Sequence, residues 1–416
     1  MDSFSNSIAR SSSQRLSPGP IRLLLYSHDG FGLGHLRRNT TIASRVVKDM
    51  PGSSVLLLVG CPLGAFFKLP PGVDFVKLPS IIKVNTGEWE PRSLPIGQED
   101  TRAIRMCMIR AVAEHFRPHL FLVDHVPTGV WAELLPTLKM LKNLEDPPRV
   151  VLGIRDILDA PEVTRELWRR EGAYGVLREY YDDIFIYGCP EVFNAAAMYG
   201  LDGPLAHKVT YCGYLCSEEA CGTGTQTREE LQLRRDKLVV VAAGGGYDAS
   251  PLMRMCVEAL RPLGDASPAE MIIITGPLMA EEQREGLRRQ AQGLPVRVLR
   301  QVEDNLSYLN AADLVITMAG YNTLTDAIRL RKRILLIPRE GPSAEQRIRA
   351  QVFSRHGLVH PIYPEECSPA ALRHAILENL DAGPLPANPL RMDGLTRATQ
   401  HLMNRSQPGA AEFALA

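Results

Sequence analysis

A surplus of charge of either sign is missing from this 416-residue sequence: 47 Lys and Arg balance 47 Asp and Glu. Without a basic surplus there is no electrostatic footprint for nucleic acid or for an anionic membrane surface. No apolar run approaches the roughly 18 residues of a membrane span. The first twenty residues, MDSFSNSIARSSSQRLSPGP, lack the apolar stretch of a signal peptide. Residues 1–20 therefore read as a disordered arm and the chain as cytoplasmic. The eight cysteines then read as reduced thiols. Cys212, Cys216 and Cys221 cluster, but with neither C-x-x-C spacing nor a histidine among them, which disfavours zinc. The G-K-[ST] of a phosphate loop is also missing, which disfavours an ATPase of that class.

What the sequence has is 45% hydrophobic and 23% charged residues, the balance of a globular protein too long for one core. Apolar, β-branched runs occupy Ile21–Ser27, Ser53–Gly60, Val73–Pro79, His119–Asp124, Arg149–Asp156, Asp183–Gly188 and Lys208–Gly213. A second series occupies Lys237–Gly246, Met271–Gly276, Val296–Leu299, Asp313–Gly320 and Arg333–Pro338. Continuous apolar strands alternating with helical patterns predict an α/β protein with parallel sheets covered on both faces. The polar stretch Ser217–Glu230 separates the series. The expected organisation is a Rossmann-like domain over 21–216, a linker over 217–230, a second such domain over 231–394, and a C-terminal helix and tail over 395–416. Two doubly wound domains would face each other across a cleft. Ligands of such sheets bind beyond the carboxyl ends of the strands.

Three strand ends run into glycine turns: HDGFGLGHLRRN after the first, AAGGGYDAS after the eighth, and MAGYNTLTDA after Asp313–Thr317. Glycine lets backbone approach a ligand, and the helix that follows offers N–H groups to an anion. Gly30, Gly32 and Gly34 are spaced two apart, unlike a dinucleotide fingerprint, which disfavours a dehydrogenase. Gly32, Gly34, Gly244, Gly245, Gly246 and Gly320 are the candidate phosphate contacts. Asn322 and Thr323 add donors, or Thr323 only caps its helix. Asp326 lies six residues past Gly320, where a carboxylate either accepts ribose hydroxyls or faces solvent.

The segment from Arg300 to Val359 resembles the donor-binding half of the family 28 glycosyltransferases. The resemblance rests on Asp313 opening a strand, Gly320 in the turn, Asp326 in the helix, Pro338 closing a strand, and Glu345–Gln346 in a polar loop. It implies the GT-B fold and a UDP-sugar donor. It also implies that Asp326 meets ribose, that the Val302 backbone reads uracil, and that Glu345 and Gln346 contact sugar hydroxyls. Two departures stand out. The family carries Ser where Gly246 stands, and Gln-Gln where this chain has Glu-Gln, which leaves the sugar open.

The first turn ends in Gly-His, as it does in family 28, and GLGHLRRN is similar to the G-x-G-H-x-x-R turn of UDP-sugar hydrolases of nonulosonic acid biosynthesis. That resemblance makes His35 a general base or a diphosphate contact; the bland alternative is a turn cap. An imidazole at a helix N-terminus stays neutral and basic near neutral pH. Asp29 stands beside the turn. Asp124–His125 and Arg155–Asp156, with Asp159, follow neighbouring strands, where they bind acceptor, assist His35 or cap structure. Asp29, Asp124 and Asp156 complete the catalytic candidates. Ser80–Asp100 reads as a long irregular acceptor loop with Trp89 as sugar platform or plain surface. Arg102, Arg105 and Arg110 read as a solvated helix face.

The expected reaction is inverting transfer of a sugar, such as an N-acetylhexosamine, from UDP to a hydroxyl acceptor, small or lipid-linked. No metal site and no further cofactor are expected. Phe66, Phe67 and Lys68 could meet a lipid but read equally as core, so peripheral membrane contact is not predicted. The rivals are a hydrolase using water at the same site and a non-catalytic sugar-nucleotide-binding subunit. An epimerase is disfavoured, since its N-terminal motif is missing.

Overall fold

The computed structural model describes residues 20–27, 33–61, 69–85, 87–217, 222–341, 343–385, 388 and 390–405. Asp29, Gly32, Phe66, Phe67, Lys68 and Cys221 lie outside the described residues.

The N-terminal half carries β1 (Arg22–Ser27), β2 (Ser54–Val59), β3 (Val73–Lys77), β4 (Ile81–Asn85), β5 (Glu88–Pro91), β6 (Leu120–Asp124), β7 (Arg149–Arg155), β8 (Asp183–Tyr187) and β9 (Val209–Tyr211). Its large sheet runs β3-β2-β1-β6-β7-β8-β9, with every pairing parallel. The C-terminal half carries β10 (Lys237–Ala242), β11 (Ala269–Ile274), β12 (Val296–Leu299), β13 (Leu314–Thr317), β14 (Arg333–Leu336) and β15 (His360–Pro361). They form a second parallel sheet, β12-β11-β10-β13-β14-β15. The central strands are mostly apolar because both faces are covered: in β6 and β8 every residue is buried, Asp124 and Asp183 included. In both sheets the strand order reverses beside the first strand, between β1 and β6 and between β10 and β13. A crevice opens at such switch points, beyond the carboxyl ends of the strands.

Three expectations are corrected. Ser80–Asp100 is not an irregular loop: β4 and β5 pair antiparallel, with Lys83 opposite Trp89. Gly87 at φ 77° and the short strands explain why the segment reads as loop. The second half of the expected linker is a helix, Gly224–Leu231, begun by Thr223, whose hydroxyl accepts from the Gln226 N–H. Arg105 is not solvated. It is fully buried, and its Nε and Nη2 each lie 2.6 Å from the Glu133 carboxylate, which also accepts from the Tyr26 hydroxyl at 2.5 Å.

The halves are joined by two chain passages that touch. Tyr214 N–H donates to Arg391 O at 2.8 Å, and Gly394 N–H donates to Tyr214 O at 3.1 Å. The last described helix, Gly394–Arg405, returns to the N-terminal half, where Thr396 accepts from Arg45 of the first helix and His401 packs on Phe185. Among the described residues no helix is long and apolar enough to cross a membrane.

Candidate active site between the two sheets

A cavity of about 790 Å³ opens between the two switch points. It is lined from the N-terminal half by Gly34, Arg37, Arg38 and Arg155, and from the C-terminal half by the turns after β10 and β13 and by Val302 and Gln346.

His35 sits in the first turn of the helix Gly34–Asp49, directly after β1. Asp124 is the last residue of β6, the neighbour of β1 across the switch point. The topology therefore brings together two residues 89 apart in sequence: His35 Nδ1 lies 2.5 Å from Asp124 Oδ2. A carboxylate that close favours the proton on Nδ1 over the competing approach of Arg38 Nη2, 3.0 Å from the same nitrogen, and that tautomer leaves Nε2 as the basic nitrogen of the neutral ring. Asp124 is held in turn by Arg38, whose Nε and Nη2 lie 3.1 and 2.5 Å from Oδ1. Both side chains of that pair are essentially buried, 2% and 1% exposed. Burial, followed by the cations Arg38, Arg155 and Lys83, holds the imidazole well below its ordinary pKa. His35 does not itself line the cavity, whereas its neighbours Gly34, Arg37 and Arg38 do. Its ring faces that of His125 at 5.2 Å between centroids. His125 adopts φ 72°, a strained conformation for a non-glycine residue, directly after Asp124.

In the opposite wall Gly244 and Gly245 line the cavity, Gly244 at φ 53°. Gly246 does not line it. A Cβ there would stand 1.7 Å from the Thr275 carbonyl oxygen, at a backbone φ of 85°. That packing requires glycine where family 28 carries serine. Gly320 is the N-cap of the helix Tyr321–Arg329 and makes no side-chain cap. Thr323 therefore does not cap this helix; it lines the cavity, as does Asn322, whose amide donates to Gly34 O at 2.9 Å. Val302 lines the far end beside Gln301 and Glu303.

The acidic candidates divide. Asp156 is 1% exposed, and its carboxylate accepts from Arg349 of the other half at 2.8 Å and from the Ile157 N–H. It ties the halves together through that pair. Glu345 opens the helix Glu345–Arg355 but does not line the cavity. Its Oε1 accepts from Arg155 at 2.7 Å and Arg349 at 2.8 Å. Burial works to raise its pKa, and the two arginines outweigh it, so the carboxyl stays below its usual range. The adjacent Gln346 does line the cavity, and its Oε1 accepts from the Arg339 N–H at 3.1 Å. Asp326 is 2% exposed; Ser217 N–H donates to it at 3.1 Å and Arg37 Nη2 at 2.8 Å. Asp159 caps Ala160 and also accepts from the Ala344 N–H across the cleft.

Sequence reasoning missed Arg37, Arg38, Arg349 and Lys83. Lys83 projects from the β4–β5 hairpin, and burial lowers its pKa against the opposing pull of Asp159 and Glu345. The Arg-Arg pair after His35 was the available signal, but a buried and a solvated arginine look alike in sequence. Among the described residues, no group of three or more His, Cys, Asp or Glu side chains is placed to hold a metal ion.

Residues 239–399 match the glycosyltransferase family 28 C-terminal domain. An uncharacterized glycosyltransferase of Methanopyrus kandleri is 30% identical over 144 residues, 35% of this chain and 38% of that protein. The UDP-N-acetylglucosamine–N-acetylmuramyl-(pentapeptide) pyrophosphoryl-undecaprenol N-acetylglucosamine transferase of Carboxydothermus hydrogenoformans is 28% identical over 160 residues, 38% of this chain and 42% of its own length. The chain thus spans about two fifths of the curated relatives it matches. Solved structures extend the likeness of fold to the whole chain. The glycotransferase of kitacinnamycin aligns with a TM-score of 0.60 at 16% identity, covering 94% of this chain and 100% of that one. MurG of Acinetobacter baumannii aligns at 0.54 and 13% identity, covering 94% and 97%. Two facing parallel α/β sheets with glycine turns at both switch points give this chain the GT-B fold of those solved glycosyltransferases, and its residues 239–399 match the family 28 C-terminal domain.

Proposed function

We propose that the protein transfers a sugar from a UDP-sugar to a hydroxyl acceptor, with inversion and with His35 as general base. The observation that carries this reading is the 2.5 Å contact between His35 Nδ1 and Asp124 Oδ2, across the switch point that faces the glycine turns. Asp124 fixes the tautomer and orientation of the ring, and Arg38 fixes Asp124. Nε2 takes the acceptor's hydroxyl proton as its oxygen bonds to the anomeric carbon. The bond from that carbon to the diphosphate oxygen breaks on the opposite face, and its electron pair leaves with UDP. N–H groups of the turns at Gly244, Gly245 and Gly320 stabilise the charge that gathers there. Val302 meets the base, and Gln346 meets sugar hydroxyls. An N-acetylhexosamine is the sugar we favour, because the Carboxydothermus relative is named for that transfer. Water in place of the acceptor would make the same site a hydrolase.

The test is UDP release from a panel of UDP-sugars, measured with and without alcohol acceptors. Release that depends on an acceptor supports transfer. Equal release into water alone replaces transfer by hydrolysis. UDP binding with no release under any condition leaves only a binding subunit and refutes catalysis.

A further inference from the structure

The geometry points to Arg37 as a donor-sensing side chain that leaves Asp326 for the donor's diphosphate as ribose hydroxyls take over the carboxylate. The inference rests on the nucleotide-sugar reading above.

Arg37 belongs to the first turn of the helix Gly34–Asp49, in the half opposite the donor-binding turns. Its Nη2 nevertheless lies 2.8 Å from Asp326 Oδ2 of the other half. The two partners are unequally placed: the Asp326 side chain is 3% exposed, that of Arg37 29%. A carboxylate so deep needs a cation or several donors to stay charged. Among the described residues it accepts from Ser217 N–H and from Arg37, with Arg329 a further cation acting on it. Burial drives its pKa upward, and Arg37 is the largest opposing influence. A ribose diol brings two O–H donors, which satisfy the same oxygens without a charge. Arg37 is then released, and its position decides where it goes. The same side chain lines the cavity with Gly34, Gly244, Gly320 and Asn322, where the turns offer N–H groups to a diphosphate. A guanidinium presents a planar fork of donors that matches phosphate oxygens two at a time. Arg38, Arg155, Arg300 and Arg339 line the cavity too, but Arg38 holds Asp124 with two bonds, Arg155 holds Glu345, Arg339 holds Asp248, and Arg300 stands next to Gln301 and Val302, where the base is proposed to bind. Arg37 is the partly exposed cation whose present partner has a substitute in the ligand itself.

Titration calorimetry with UDP and with uridine, on the full chain, tests the exchange. Arg37→Ala is expected to weaken UDP about tenfold or more, the scale of a charge-assisted contact, and to leave uridine within about twofold. Asp326→Asn is expected to weaken both ligands, because both carry the ribose. In the Asp326→Asn background, Arg37→Ala still costs UDP affinity if the guanidinium meets phosphate. If Arg37→Ala has no further effect there, or weakens UDP and uridine equally in the parent, Arg37 acts only as a clasp on Asp326 and the inference is wrong. If the unaltered protein binds neither ligand, the nucleotide-sugar reading falls and takes the exchange with it.

Discussion

Asp124→Asn separates the two duties that the structure gives one carboxylate. The first is to support Arg38, whose side chain is 2% exposed and makes two bonds to Oδ1. Removing the charge leaves a buried guanidinium facing a neutral amide, a change that costs about 3–5 kcal/mol when a buried pair loses one member. At about 2–4 °C per kcal/mol for a unit the size of the N-terminal half, its melting temperature falls by roughly 6–20 °C. The second duty is to hold the proton of His35 on Nδ1. An asparagine presents either an oxygen that accepts more weakly or an NH2 that forces the other tautomer. The expected loss in kcat lies within the roughly 100- to 10,000-fold range of general-base catalysis. The assay is UDP release at saturating substrate, alongside calorimetric melting. His35→Ala is the control: it should lose a similar factor in kcat with a much smaller fall in melting temperature, since it spares the Arg38–Asp124 pair. If Asp124→Asn retains kcat within about threefold of the parent while folded, the dyad has no part in turnover.

Other perturbations follow from the same contacts. Lys83→Gln removes one of the cations that depress His35, so the imidazole pKa rises. The base works only when neutral, so activity is lost as pH falls through that pKa; the acid limb of kcat/KM, expected below pH 6.5, should move to higher pH. An acid limb unmoved by the change would mean Lys83 does not act on His35. Gly246→Ser drives a Cβ against the Thr275 carbonyl at a positive φ, so melting should drop by several degrees and restored serine chemistry should not improve UDP binding. Tighter UDP binding at unchanged stability would contradict the packing at that turn. Glu133→Gln strands the fully buried Arg105 and should destabilise by about 3–5 kcal/mol in denaturant unfolding, whereas removing both partners as Arg105→Met with Glu133→Gln should recover part of that loss. Two single losses that simply add would count against the pairing.

The sheets were legible because buried parallel strands have no polar face to confuse the pattern. Runs such as Leu120–Asp124 and Lys237–Ala242 announce themselves, and Asp124 at the end of the first and Gly244 just past the second fall at the cleft by topology alone. Which acid meets which base was not legible. Glu345 and Asp156 read as polar groups at a ligand edge, yet they answer Arg155 and Arg349, 190 and 193 residues away. Those pairings depend on how two domains dock, and no local pattern encodes docking. Arg105 failed for a related reason: its helix carries Arg102 and Arg110 at helical spacing, and only the position of Glu133 in the fold makes one of the three a core residue. Gly246 was read as ligand-facing because a run of three glycines does not say which of them turns toward the neighbouring strand.

The paired passages between the halves have a mechanical meaning. Tyr214 bonds to Arg391 and Gly394, so the chain crosses twice as a short two-ply ribbon. A Cβ on Gly394 would stand 2.5 Å from the carbonyl oxygens of both Gly213 and Tyr214, and one on Gly213, at φ 89°, 2.9 Å from Arg391 O. Only glycine permits the plies to lie this close. The ribbon fixes one edge of the interface between the halves, and the buried Asp156–Arg349 pair fixes another, so His35 and the donor turns are held in a single alignment.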